Sequence, residues 1–412
     1  MNESSDSLAA LRDPATIRLR SAAIARAVAD GRSGLFRLDR SRLAEVAERV
    51  AALTLRRFPD LNVPIHGRWR HFEAGGVDRK ARFDAALAGR DVAEAARARF
   101  DLTVLAVLLD AGAGGAWRYE QDGREYRRSE GLAVASFEAF VGGAFSERAD
   151  DLLRADAARL QRVDAETLGP LFQVGNGNAM VGLEGRAALL SRLGATLVRE
   201  AERDGLEARP GLIYDRLVAG GSKQVQAAQL LGELLRCLGP IWTAGSRIKG
   251  VAAGDVWPHR FAGAETAAGA DFTSAGYVPL HKLSQWLAYS LVEPLQWAGI
   301  EVVGLDALTG LAEYRNGGLL LDAGVIVARD ARLLARPWKP ADELVVEWRA
   351  LTVALLDELA PLVRQRLGPG AAALTLAQLL EGGTWAAGRE IAAERRAGGV
   401  PPLQIESDGT IF

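Results

Sequence analysis

Cysteine is nearly missing from this 412-residue chain. Cys237 stands alone, so no disulfide can form within one copy, which fits a reducing compartment. Histidine is scarce as well: His66, His71, His259 and His281 are the only four. None sits in a paired spacing such as H-E-x-x-H or C-x-x-C, so no structural or catalytic metal site is expected. Charge of one sign does not accumulate either. Fifty Lys and Arg oppose 52 Asp and Glu, a formal net charge of −2, and the electrostatic footprint of a dedicated nucleic-acid binder is absent. Long hydrophobic runs are lacking too. The most apolar, LTVLAVLL at 102–109, is less than half of the roughly 20 residues that cross a bilayer, and it reads as core. The opening MNESSDSLAALRDPATIRLR lacks the apolar stretch and small-residue cleavage site of a secretory signal. These absences point to a cytoplasmic protein with neither membrane nor nucleic acid as partner. Phosphate-loop chemistry is missing as well: VGNGNAMVGLEG (174–185) and DAGAGGAW (110–117) fit neither the Walker nor the dinucleotide fingerprint, and there is no G-x-S-x-G elbow.

What the chain does have is 49% hydrophobic residues, enough for a substantial core, arranged mainly at helical spacing. Residues 14–56 predict two amphipathic helices, opened at Asp13 or Pro14. Further helices are expected at 91–111, 147–164, 183–205, 209–219, 224–238, 279–299, 340–366 and 384–396. The 57–76 stretch, with Trp69 and Phe72, reads as an ordered connection. WRYEQDGREYRR (117–128) alternates around Asp122-Gly123 and predicts a β-hairpin. No repeat or low-complexity linker breaks the pattern. The expectation is a mostly α fold: one compact multi-helix body over 12–412, divisible into lobes 12–165 and 166–412 around a central cleft, behind a flexible 1–11.

Three stretches carry polar groups where helical packing alone would not require them. Within 279–299, with Pro279 at its start, His281, Gln285 and Tyr289 fall at i, i+4 and i+8, and Lys282 and Trp286 pair alongside. LTGLAEYRNGG (308–318) sets Glu313, Tyr314, Arg315 and Asn316 in a row between Thr309-Gly310 and Gly317-Gly318, glycines that let the backbone approach another group. A structural ion pair and a ligand site both fit that row. EGGTWAAGREIAAERR (381–396) places Gly382, Gly383 and Thr384 at an expected helix start, followed by Trp385 and, one turn in, Arg389. A small phosphate suits such a terminus, and ordinary threonine capping suits the same residues.

Six blocks in one order, LLDAGAGGAWRY, RRSEGLAVASFEAF, GNAMVGLEGRAALLSRLG, VPLHKLSQWLAYSLVEPL, LTGLAEYRNGGLLLDAGV and EGGTWAAGREIA, resemble the uracil catabolism protein 4 family, once catalogued as a domain of unknown function. The likeness runs from about residue 12 to the closing SDGTIF. It implies a place in a uracil-degrading route in which a ribosylurea-type compound must be broken down. A fainter similarity links LAEYRNGGLLLDAGV to the A-D-Y-R-x-P-Q block of queuosine salvage nucleotide N-glycosidases, whose helical fold resembles DNA glycosylases. Glu313 stands where that family has aspartate, and Asn316-Gly317-Gly318 replaces its proline–glutamine. Together the resemblances imply an N-glycosidase that releases urea and ribose or ribose phosphate, without metal or cofactor. On that reading Glu313 is the catalytic carboxylate, with Asp110 and Asp255 in reserve. Arg315, Thr384 and Arg389 would hold a phosphate, His281 and Gln285 would contact sugar or urea, Tyr314 and Trp286 would wall the pocket, and Trp385 would be a further substrate-binding residue. A hydrolase or deaminase of the ring-opened pyrimidine is the alternative enzyme. A non-catalytic nucleotide-binding partner of other uracil-degrading enzymes is the alternative outside catalysis.

Overall fold

A computed structural model describes residues 3–243, 245–263 and 272–406. Its described residues are mostly helical, with short two-stranded ribbons only. The first expectations hold locally. Asp13 caps the Pro14–Ala29 helix by accepting from the Ala15 N–H, and Pro14 occupies the first turn, where no amide partner is needed. Asp122-Gly123 turns the Tyr119–Gln121 strand back onto Arg124–Tyr126, with both turn residues at positive φ.

The chain forms two compact units, and neither is a contiguous half. The described residues of Met1–His66, Gly245–Gln285 and Gly304–Glu406 make one; those of Gly67–Ala244 and Trp286–Val303 make the other. The expected cut at 165 falls inside the second unit, and the division crosses the Lys282–Trp297 helix after Gln285.

In the first unit the Glu343–Leu367 helix is buried nearly all round over its first three turns, from Leu344 to Leu356, as expected of a helix enclosed by others. Pro14–Ala29, Leu43–Arg57 and Tyr314–Asp322 pack on it. Residues expected to be a flexible amino terminus belong to a helix, Glu3–Arg12. Leu8 and Leu11 anchor it, buried against Ile248, Ala253 and Val256.

In the second unit the Val92–Leu108 helix carries the LTVLAVLL core run. Asp101, just ahead of that run in the same helix, is not at the surface. It is fully buried, pairs with Arg209 at 2.7 Å and accepts from the Ala155 N–H at 3.0 Å. That bond draws residues around 155 into an extended path, so the helix expected over 147–164 shrinks to Ala157–Gln161. Two other helices start later than periodicity suggests. Gln224–Gln226 is a strand, parallel to Glu301–Val303, ahead of the Ala227–Leu238 helix. Pro279 ends a strand paired with Val256–Pro258 rather than opening a helix.

Candidate active site

Glu313 is the capping residue of the Tyr314–Asp322 helix. One carboxylate oxygen accepts from the Arg315 N–H and the other from the Asn316 N–H, both at 2.6 Å. The side chain is only 6% exposed, and no arginine pairs with it among the described residues. Burial pushes its carboxyl above the ordinary value. The two backbone N–H groups, the Lys282 ammonium and the His66 ring draw it back without cancelling the rise.

The neighbourhood of Glu313 is polar and mostly buried. His66 Nδ1 lies 2.8 Å from Glu381, a carboxylate that Arg57 also grips at 2.9 Å. Burial alone would raise the Glu381 carboxyl, but His66 and Arg57 outweigh it and hold it low. Gln285 donates through Nε2 to Thr309 Oγ1 at 2.5 Å, tying the first turn of the Lys282–Trp297 helix to the chain just ahead of Glu313. Lys282 and Gln285 lie one turn apart on that helix.

The two reserve carboxylates are committed elsewhere. Asp255 receives both terminal nitrogens of buried Arg349, at 2.8 and 2.7 Å. It also accepts from Trp257 Nε1 and the Lys282 N–H. Burial would raise it, yet this set of donors holds it far below the ordinary range. Arg349 also donates through Nε to the carbonyl of Ala312, the residue before Glu313, at 3.1 Å. Asp110, in the other unit, is paired with fully buried Arg68 at 2.8 Å. Neither aspartate is a free acid or base, so neither fits the reserve role that the sequence suggested for it.

Several expected contact residues have other employment. His281 precedes the helix at φ 42°, and its Nε2 donates to the Leu11 carbonyl at 2.9 Å. It therefore does not continue the Gln285–Tyr289 face. Arg315 turns away from Glu313: its Nη1 donates to the Gly399 carbonyl and its guanidinium lies over the Tyr314 ring. Gly382, Gly383 and Thr384 open no helix. They sit in a one-turn π segment, Leu380–Thr384, between two helical stretches, so their N–H groups do not form a helix-terminal anion site. Arg389 is exposed and rests over the half-buried Trp385 ring, which itself stands 6.3 Å from His66. Trp286 belongs to the second unit, with Arg68 over its ring and His71 at 5.7 Å.

The glycines, too, face protein. A Cβ on Gly317 would stand 2.7 Å from the Trp348 indole, and one on Gly383 2.6 Å from the Val50 carbonyl. They let helices approach one another. Elsewhere in the first unit a groove of about 450 Å³ is lined by Arg37, Asp39, Arg42, Arg49, Asp322 and Glu394 among others, and by none of the candidate residues. Among the described residues, no group of three or more His, Cys, Asp and Glu side chains is placed to hold a metal, and no helix is long and apolar enough to cross a membrane.

The family described as "Protein of unknown function (DUF1688)" matches residues 10–412. This chain belongs to it. Two relatives extend the likeness over nearly the whole length. The protein is 39% identical to Protein urg3 of Schizosaccharomyces pombe, over 92% of each chain. It is 37% identical to Uracil catabolism protein 4 of Lachancea kluyveri, over 93% of each. For this family member, sequence reasoning passed over His66 and Lys282, which act on Glu313, and Glu381, which pairs with His66. His66 and Glu381 are 315 positions apart, and no local pattern joins them.

Proposed function

We propose that the chain acts in uracil catabolism by hydrolysing the ribosyl–nitrogen bond of a ribosylurea-type compound, releasing urea and ribose or its phosphate. The relative named for uracil catabolism supports the pathway. The reaction rests on one observation: Glu313 is a buried carboxylate without a guanidinium partner, set among polar side chains, whereas Asp255 and Asp110 are neutralised by arginines.

Breaking this bond develops positive charge at the anomeric carbon. A carboxylate whose charge is not already cancelled stabilises that cation most strongly in a poorly solvated site. Two backbone N–H groups hold Glu313 in one orientation, so little reorganisation accompanies the reaction. Its raised proton affinity also suits it to take a proton from an attacking water. We assign protonation of the departing nitrogen to His66, whose ring Glu381 orients through Nδ1. The test is direct. Purified protein is incubated with ribosylurea and, separately, with its 5′-phosphate, and urea is assayed. Release from either compound is expected; no release from both overturns the reading.

A further inference from the structure

Beside Glu313 lie more hydrogen-bonding groups than the fold uses. Asn316 is fully buried, yet neither its Oδ1 nor its Nδ2 finds a partner among the described residues. Gln285, 1% exposed, spends Nε2 on Thr309 and leaves Oε1 in the same condition. Buried carboxamides are ordinarily satisfied, because an unpaired one costs free energy. The two belong to one neighbourhood. The Asn316 N–H is bonded to Glu313, and Gln285 is tied to Thr309, four residues ahead of Glu313. The residues flanking Asn316 are occupied, Arg315 with the Gly399 carbonyl and Gly317 against Trp348.

We infer that Asn316, seconded by Gln285, determines specificity by reading the ureido group of the substrate. Their unspent atoms are one NH2 donor group and two carbonyl acceptors. A ureido edge is the complement: its carbonyl accepts from Asn316 Nδ2, one of its N–H groups donates to Asn316 Oδ1, and a second donates to Gln285 Oε1. A sugar hydroxyl, with one O–H to donate, can satisfy only one of the two carbonyl acceptors, whereas the ureido edge satisfies both together with the NH2 donor. This deepens the glycosidase reading and rests on it.

The test compares ribosylurea with p-nitrophenyl β-D-riboside, whose leaving group has no amide edge. Asn316→Leu, close in size, should lower kcat/KM on ribosylurea by about 100-fold, because losing paired hydrogen bonds to a substrate amide is costly. The loss on the nitrophenyl riboside should be at least about 30-fold smaller, since that substrate never used those bonds. The melting temperature should not fall, as an apolar group replaces an unpaired polar one. Equal losses on both substrates, or a clear drop in melting temperature, would make Asn316 structural and overturn the proposal. Calorimetric binding of ribosylurea to the Glu313→Gln protein separates this inference from the reaction. If wild type releases no urea but the ligand binds, and adding Asn316→Leu abolishes binding, the glycosidase reading falls and the Asn316 assignment stands. Absence of both release by wild type and binding sinks both.

Discussion

Two helix starts in the same unit carry buried carboxylates, and they have opposite chemistry. Asp255 bonds the first amide of the Lys282–Trp297 helix, and Glu313 caps the Tyr314–Asp322 helix. Each is largely shielded from water, Asp255 less completely than Glu313, and each accepts a backbone N–H bond. Arg349 makes the difference, giving two bonds to Asp255 and its third to a carbonyl. Asp255 is consequently held far below the usual carboxylate range and Glu313 is pushed above it. Burial supplies the same upward push in both cases, and the partner decides the sign. A paired carboxylate is architecture. An unpaired one is a cost to the fold, and such costs concentrate where a protein does chemistry.

The comparison can be broken by substitution. Glu313→Gln should lower urea release by about 10³-fold, the scale expected for removing a general base, with the fold retained by circular dichroism. Asp255→Asn should act on stability instead. It removes the charge that both terminal nitrogens of buried Arg349 meet, and denaturant titration should register a loss of about 3–5 kcal/mol. Equal effects of the two substitutions on both readouts would erase the distinction.

Acidification sharpens it. The folded-state value of Glu313 lies above its unfolded one, so wild type gains stability relative to Glu313→Gln as pH falls through the raised value to the ordinary range near about 4. Asp255 runs the other way. Its contribution is present above the ordinary range and is lost as pH falls towards the lowered value. Melting curves for wild type and both variants across pH 3–8 should therefore diverge with opposite slopes.

Smaller effects test the surroundings. Gly317→Ala should cost about 1–3 kcal/mol by forcing a methyl against Trp348 and Thr352, seen as a lower denaturation midpoint. Arg389→Ala removes a guanidinium lying over an aromatic ring at an exposed position and should change stability by at most about 1 kcal/mol. A large effect of Arg389→Ala on turnover would return that residue to the site.

Local signals were legible in the chain and distant ones were not. The Asp13-Pro14 start, the Asp122-Gly123 hairpin and the long Glu343–Leu367 helix could be read because their causes lie within a few residues. The buried row at 313–316 stood out by composition alone. The rest depends on pairs far apart in sequence. Arg349 chooses Asp255 across 94 positions, and that choice, invisible locally, separates a reserve carboxylate from a structural one. Pro279 was misread because its strand partner, Val256, lies outside any helical window. Gly317 was read as a site of close approach, and what approaches is Trp348 of the Glu343–Leu367 helix; Gly383, read as part of an anion-binding helix start, lies instead against Val50.

The most direct test of this account follows the proton on Glu313 itself. In protein carrying carboxyl-labelled glutamate, a carbon NMR titration should contain one resonance that vanishes in Glu313→Gln and titrates above the ordinary glutamate range. If that resonance titrates at or below the ordinary range, Glu313 is a helix cap like any other, and the distinction from Asp255 disappears.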